Sequence, residues 1–303
     1  SCSNEPSGAT PTSPTADSAM AQGNTAQLQH IESMSSAYVA ARKISIWLPP
    51  SYHDSKESFP VLYMHDGQNV FDPATSYTGI DWGVDEAITK LSADGEIPEA
   101  IVVGIWNTEA RWREYMPRAI YDQLPQQIQQ AAATDYGGAP LSDDYLRFIV
   151  EELKPYIDQH YRTLSDAAHT SIMGSSMGGL ISFYALTEYP EVFGRAGALS
   201  THWPLVIPPE GEGPGEERVA IVRDIYRDYL QQHLPYADSH RVYFDHGSEH
   251  IDAYYAPYQT EINGLLSELG WQAENDWHSQ SFPGATHNEA AWRERLDIPL
   301  KVV

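Results

Sequence analysis

The chain has one cysteine in 303 residues, Cys2, and so has no intramolecular disulfide. No stretch approaches the roughly 20 apolar residues of a membrane-spanning helix. Basic residues are scarce: 18 Lys and Arg against 42 Asp and Glu leave a formal charge of −24, the wrong sign for a nucleic-acid partner. The acidic excess is spread along the chain and reads as a solvated surface; it repels anionic polymers at long range and favours neutral substrates. No internal repeat is visible.

What is present is a regular alternation. Strand-like apolar runs at 43–48, 61–64, 100–105, 171–173, 195–199 and 242–245 are interleaved with helix-length stretches at 85–91, 143–159, 177–188, 216–233, 254–269 and 289–296. In the second of these helices Leu146, Ile149, Val150, Leu153 and Ile157 fall on one face. This order predicts an α/β fold, a mostly parallel sheet with helices on both faces, in a single domain over 27–303. Residues 1–26, rich in Ser, Thr, Pro, Ala and Gly, are expected to form a disordered N-terminal tether. A lone Cys2 ahead of such a tract resembles the start of a mature bacterial lipoprotein; the plainer alternative is a surface cysteine in a tail. The first reading places the protein in the cell envelope or outside the cell, touching membrane through a lipid on Cys2. Two irregular segments, 121–142 and 204–217, are expected at the mouth of a site, the first as a cap.

The most informative stretch is Gly174-Ser175-Ser176-Met177-Gly178, set between a short β-prone run and an amphipathic helix. Gly-x-Ser-x-Gly in that setting forms a tight strand-to-helix elbow that exposes the serine, Ser176. Side chains at Gly174 and Gly178 are expected to collide with the neighbouring strand and helix. The helix start offers the N–H of Met177 to a developing oxyanion.

A nucleophilic serine needs a base, and twelve histidines compete for the part. His287 has the best context, on a loop after Pro283-Gly284 and just before a helical Ala-Ala-Trp. An acid is expected between the two, giving the chain order serine, acid, histidine of α/β-hydrolases. After the strand-like 241–245 come Glu249 and Asp252; Asp252, at a loop-to-helix junction, is the favoured acid, with Glu249 the alternative. His246-Gly-Ser-Glu249-His250 also matches His-x-x-Glu-His, but that zinc motif needs a helix, and Gly247-Ser248 after a β run oppose one. Neither a metal nor a cofactor is expected. Trp203, Trp106, Arg111 and Tyr115 follow strands and are candidate substrate-binding residues, with core packing or ion pairing as their alternatives.

Together these pieces resemble the putative-esterase family of α/β-hydrolases, which includes feruloyl and acetylxylan esterases, siderophore esterases, S-formylglutathione hydrolases and mycolyltransferases. The resemblance runs from about Arg42 to Leu300. Its landmarks are Ile46-Trp-Leu-Pro-Pro-Ser-Tyr52, Val61-Leu-Tyr-Met-His-Asp-Gly-Gln-Asn-Val-Phe-Asp72, Arg111-Trp-Arg-Glu-Tyr-Met-Pro117, Glu152-Leu-Lys-Pro-Tyr-Ile-Asp158, the Ser176 elbow and His287-Asn-Glu. It implies a second oxyanion donor at the backbone of Gln68, although Asp66 stands where the family's pattern has histidine. It also implies a serine esterase acting on a small-molecule or carbohydrate-linked ester. An acyltransferase on the same triad and a surface binding protein on a hydrolase fold are the alternatives.

Overall fold

A computed structural model describes residues 27–206 and 215–303. Eight strands form one sheet: β1 (Leu28–Met34), β2 (Arg42–Trp47), β3 (Val61–His65), β4 (Ile101–Ile105), β5 (Thr170–Ser175), β6 (Arg195–Leu199), β7 (Arg241–His246) and β8 (Trp277–Ser281). Their spatial order is β1-β2-β4-β3-β5-β6-β7-β8. β1–β2 and β2–β4 pair antiparallel, and the remaining pairs are parallel. The helices are α1 (Val84–Ala93), α2 (Arg111–Tyr115), α3 (Arg118–Tyr121), α4 (Gln126–Tyr136), α5 (Ser142–Arg147), α6 (Lys154–His160), α7 (Met177–Glu188), α8 (Glu216–His233), α9 (Tyr255–Glu268), α10 (Glu289–Glu294) and α11 (Asp297–Leu300). This is the α/β-hydrolase fold.

Period-two alternation divides each central strand between two cores. Val61 and Tyr63 join α5, α7 and α9 in one cluster, while Leu62 and Met64 pack with α1, α10 and α11 in the other. Every residue of β3, β4 and β5 is therefore buried, as parallel strands covered on both faces must be. The edge strands β1 and β8 are half-polar and partly exposed; that polarity hid both from the reading of the sequence.

The expected helix at 143–159 is present but interrupted. A π-helical turn, Phe148–Leu153, separates α5 from α6. It ends two residues before Pro155, whose missing N–H and bulky ring break the regular ladder. Segment 121–142 is mainly the helix α4 rather than irregular chain. Tyr136 stacks on Trp112 with centroids 4.2 Å apart, and Gln129 Nε2 donates to the carbonyls of Tyr121 and Leu124 at 3.1 and 2.9 Å. The expected tether at 1–26 with Cys2, and residues 207–214 of the second irregular segment, lie outside the described residues.

Topology places the crevice. From β3 the chain crosses outward to β4, then returns to β5 on the other side of β3. Strand order thus reverses between β3 and β5, and ligands in such sheets bind beyond the carboxyl ends at that point.

Candidate active site

Ser176 stands at that switch point, between β5 and α7, with φ 59° and ψ −120°. The strained turn is pinned by backbone bonds: Ser176 N–H donates to Leu199 O at 2.9 Å, and His202 N–H donates to Ser176 O at 3.2 Å. A Cβ on Gly174 would lie 2.9 Å from the carbonyl carbon and oxygen of Gly178, so the elbow closes only with glycine there. The expectation for Gly178 itself is corrected: a Cβ there would meet His65 Cβ at 3.6 Å, an ordinary contact. Met177 opens α7, so its N–H has no carbonyl one turn upstream to bond.

Asp252 is fully buried and Glu249 is exposed. Asp252 Oδ1 lies 2.6 Å from His287 Nδ1. Its Oδ2 accepts from Ser200 Oγ and from Gly247 N–H, each at 2.6 Å. Burial alone would raise the Asp252 pKa; the bond to His287, aided by those from Ser200 and Gly247, outweighs it and holds the carboxyl below its usual value. An ionised carboxylate only accepts, so His287 donates to it through Nδ1–H, the tautomer that in a neutral ring leaves the lone pair on Nε2. The imidazole is wedged edge-on between Trp292 and Tyr255, with centroids 5.1 and 5.9 Å away. Its loop is anchored by Asn288, which caps α10 by accepting from Ala291 N–H at 2.9 Å. Glu289 then accepts from Thr78 Oγ1 at 3.0 Å.

The opposite wall is the end of β3. Asp66 takes a left-handed conformation, φ 55°, and Gly67 presses on β4, where a Cβ would sit 2.6 Å from the backbone of Gly104. Asp66 is gripped by Arg111 Nε and Nη2 at 2.7 and 2.8 Å and by Asn107 Nδ2 at 2.6 Å. Burial favours its neutral form, but Arg111 more than reverses this and lowers the pKa. The Gln68 side chain is locked by reciprocal bonds with Asn107 at 2.7 and 3.0 Å. That clamp orients the Gln68 backbone beside a cavity of about 410 Å³ bordered by Gln68, Thr78, Arg111, Ser176, His287 and Trp292.

Of the four candidate substrate-binding residues, Arg111 borders this cavity. Tyr115 is buried, its hydroxyl accepting from Asp66 N–H at 3.1 Å. Trp106 turns away, donating to Ser45 Oγ at 2.9 Å beneath Lys43. Trp203 is core: fully buried among Phe183, Tyr226 and Phe244, with its N–H satisfied by Gln259 Oε1 at 2.9 Å. No residue of 121–142 borders the cavity; the staples of α4 to Tyr121, Leu124 and Trp112 hold that segment elsewhere. His246 ends β7 and His250 has φ 54°, so the His-x-x-Glu-His residues share no helix. The structure adds residues that the sequence did not single out, among them Asn107, Ser200, His202 and Tyr255. The Tyr255 hydroxyl lies 2.8 Å from His202 Nδ1. Burial, then the nearby His287 and Arg111, push the His202 pKa down to about 3, so this second imidazole stays neutral.

A family model described as "Putative esterase" matches residues 35–301. The chain belongs to that family. An uncharacterized protein of Bacillus subtilis, YbbA, is 28% identical over 172 residues, 56% of this chain and 61% of that protein. The ferri-bacillibactin esterase BesA of the same organism is 31% identical over 162 residues, covering 51% of this chain and 52% of BesA. The matches thus span less than two thirds of either relative. Among solved structures, an IroE-like serine hydrolase from Shewanella oneidensis superposes with a TM-score of 0.64 at 21% identity, covering 90% of this chain and 79% of that one. The enterobactin esterase FES of Shigella flexneri gives 0.63 at 18% identity, covering 91% and 59%. At these identities the structural likeness speaks for the fold.

Proposed function

We propose that this family member is a serine esterase that hydrolyses a carboxylic ester through an acyl-enzyme. One juxtaposition carries the reading: Ser176, on a strained elbow, and His287, bonded to the buried Asp252, border the same cavity. In this reading Ser176 Oγ attacks the ester carbonyl while His287 Nε2 takes its proton. The N–H groups of Met177 and Gln68 receive the oxyanion, each worth about 2.7–4 kcal/mol of barrier. His287 then returns the proton to the leaving alcohol, and water repeats the sequence on the acyl-enzyme. Asp252 stabilises the imidazolium and is not itself protonated.

The names of the relatives make siderophore esters the substrates to test first, with feruloyl and acetyl-sugar esters as comparators. The reading involves small-molecule or carbohydrate-linked partners and no nucleic acid. A lipid on Cys2 remains a proposal that mass spectrometry of protein from its native host would decide. The function is tested by hydrolysis of p-nitrophenyl acetate and butyrate and by fluorophosphonate labelling, in wild type and Ser176→Ala. Loss of both in the variant is expected; near-normal turnover by Ser176→Ala would sink the assignment.

A further inference from the structure

Ser200 follows β6 at the carboxyl edge of the sheet, fully buried, with φ 44°. Its hydroxyl has three neighbours: Asp252 Oδ2 at 2.6 Å, Trp292 Nε1 at 3.0 Å and Arg295 Nη2 at 3.0 Å. Indole and guanidinium nitrogens can only donate, and a hydroxyl has two lone pairs and one proton. Both lone pairs of Ser200 are therefore taken, and its single proton has one destination, the carboxylate of Asp252. The direction of this bond is settled by chemistry alone.

The donors are themselves held. Arg295 forms a two-point pair with Asp245, Nε to Oδ2 at 3.0 Å and Nη2 to Oδ1 at 2.9 Å, with both side chains buried. Asp245 also accepts from Tyr243 Oη at 2.7 Å and from Ser200 N–H at 3.0 Å. Trp292 stacks on Trp82 with centroids 5.4 Å apart while packing edge-on against His287. Asp252 Oδ2 thus receives two fixed donors, Ser200 Oγ–H and Gly247 N–H, leaving Oδ1 for His287. Ser200 and Gly247 both donate to Oδ2, so a proton on Asp252 could point only at His287 Nδ1, in the tautomer that puts the ring's own proton on Nε2.

We propose that Ser200 is a positioning residue: polarised by Arg295 and Trp292, it keeps Asp252 ionised and aimed at His287. This rests on the serine-esterase reading for its catalytic consequence but not for its electrostatic one. Ser200 touches no reacting atom. Its side chain also explains a backbone conformation that glycine would adopt with less strain.

Two variants separate hydroxyl from backbone. Ser200→Ala removes the hydroxyl and keeps the strained φ; Ser200→Gly removes the hydroxyl and relieves the strain. A hydrogen bond to a charged group is worth about ten- to a hundredfold. Both variants should therefore lose about ten- to a hundredfold in kcat on p-nitrophenyl butyrate, with KM within about twofold, while their Tm values differ. With one donor fewer, the Asp252–His287 pair holds protons more tightly, so the acid limb of the pH–rate profile moves to higher pH in both. Carbon-13 NMR titration of the aspartate carboxyls gives a readout independent of turnover: the Asp252 pKa should rise in both variants. If wild type proves inactive on every ester, the functional reading fails while this titration still judges Ser200. Activity that recovers in Ser200→Gly in step with Tm would overturn the proposal, as would an unchanged Asp252 titration.

Discussion

Alanine at Gly174 should destabilise the fold, whereas alanine at Gly178, four residues away in the same motif, should not. A Cβ on Gly174 would sit 2.9–3.0 Å from the Cα, carbonyl carbon and oxygen of Gly178. Contacts between carbon atoms are at their best near 3.5–4.0 Å, so the overlap is about 0.5–1 Å and lies entirely against backbone, which cannot rotate away. Either α7 slides along the sheet or β5 bends, an overpacking strain of about 1–3 kcal/mol. At about 2–4 °C per kcal/mol for a domain approaching this size, Tm should fall by about 2–12 °C. The displaced elbow carries Ser176, and misplacement by about 1 Å costs on the order of a hundredfold in rate. At Gly178 the nearest atoms would be His65 Cβ at 3.6 Å and Asp66 Oδ2 at 3.7 Å. Those contacts are unstrained, and alanine regains up to about 1 kcal/mol of helix propensity. Gly178→Ala should therefore match or exceed wild type in Tm. Calorimetry beside p-nitrophenyl butyrate hydrolysis reads both quantities. Equal destabilisation by the two substitutions would show that the packing argument for the elbow is wrong.

Two further outcomes follow from buried groups. The Asp66 pKa is held below its unfolded value, so the stability it contributes is complete above about pH 4 and fades as pH falls through the folded value. Arg111→Gln removes the partner while leaving the burial; urea unfolding should show its penalty greatest near neutrality and shrinking towards pH 3, and a pH-independent gap would refute the pairing. Trp203→Ala empties a core site and should cost about 3–5 kcal/mol of stability with KM for short esters unchanged. A raised KM at unchanged Tm would return Trp203 to the binding surface.

What the sequence made legible is what depends on local pattern. Runs such as Val61–His65 and Ile101–Ile105 are apolar throughout because both faces of the sheet are covered, and α8 buries the one face its periodicity marks. The helix after the elbow was expected to be amphipathic, but α7 is buried on all sides from Met177 to Thr187, packed between the sheet and the helices over it. The Ser176 elbow was visible because its strained turn demands glycine close by. The rest depends on partners remote in the chain. Asp66 and Arg111 are 45 residues apart, and Ser200 and Arg295 are 95 apart; nothing local marks either pair. Asp252 was favoured over Glu249 only narrowly, because what distinguishes them is the direction of one short helical turn, Glu249 preceding it exposed and Asp252 lying inside it buried. Trp203 and Ser200 follow the same strand, and a difference of three residues decides which side chain meets Asp252 and which meets the core.

A common device emerges at the carboxyl edge. β3, β5 and β6 are adjacent, and each is followed directly by a non-glycine residue with positive φ: Asp66 at 55°, Ser176 at 59° and Ser200 at 44°. Such conformations are costly for residues with a Cβ and persist where the surroundings over-determine them. Glycine would relieve the strain at all three positions and would remove the side chain from each. Asp66 binds Arg111 and Asn107 at the cavity wall, Ser176 opens into the cavity, and Ser200 directs its proton to Asp252. The turn that strains the backbone is also what swings these side chains off the strand alternation, which would otherwise send them into one of the two cores. The fold therefore places strain on three neighbouring strand ends, where the displaced side chains meet, and there the stability cost and the site have the same origin.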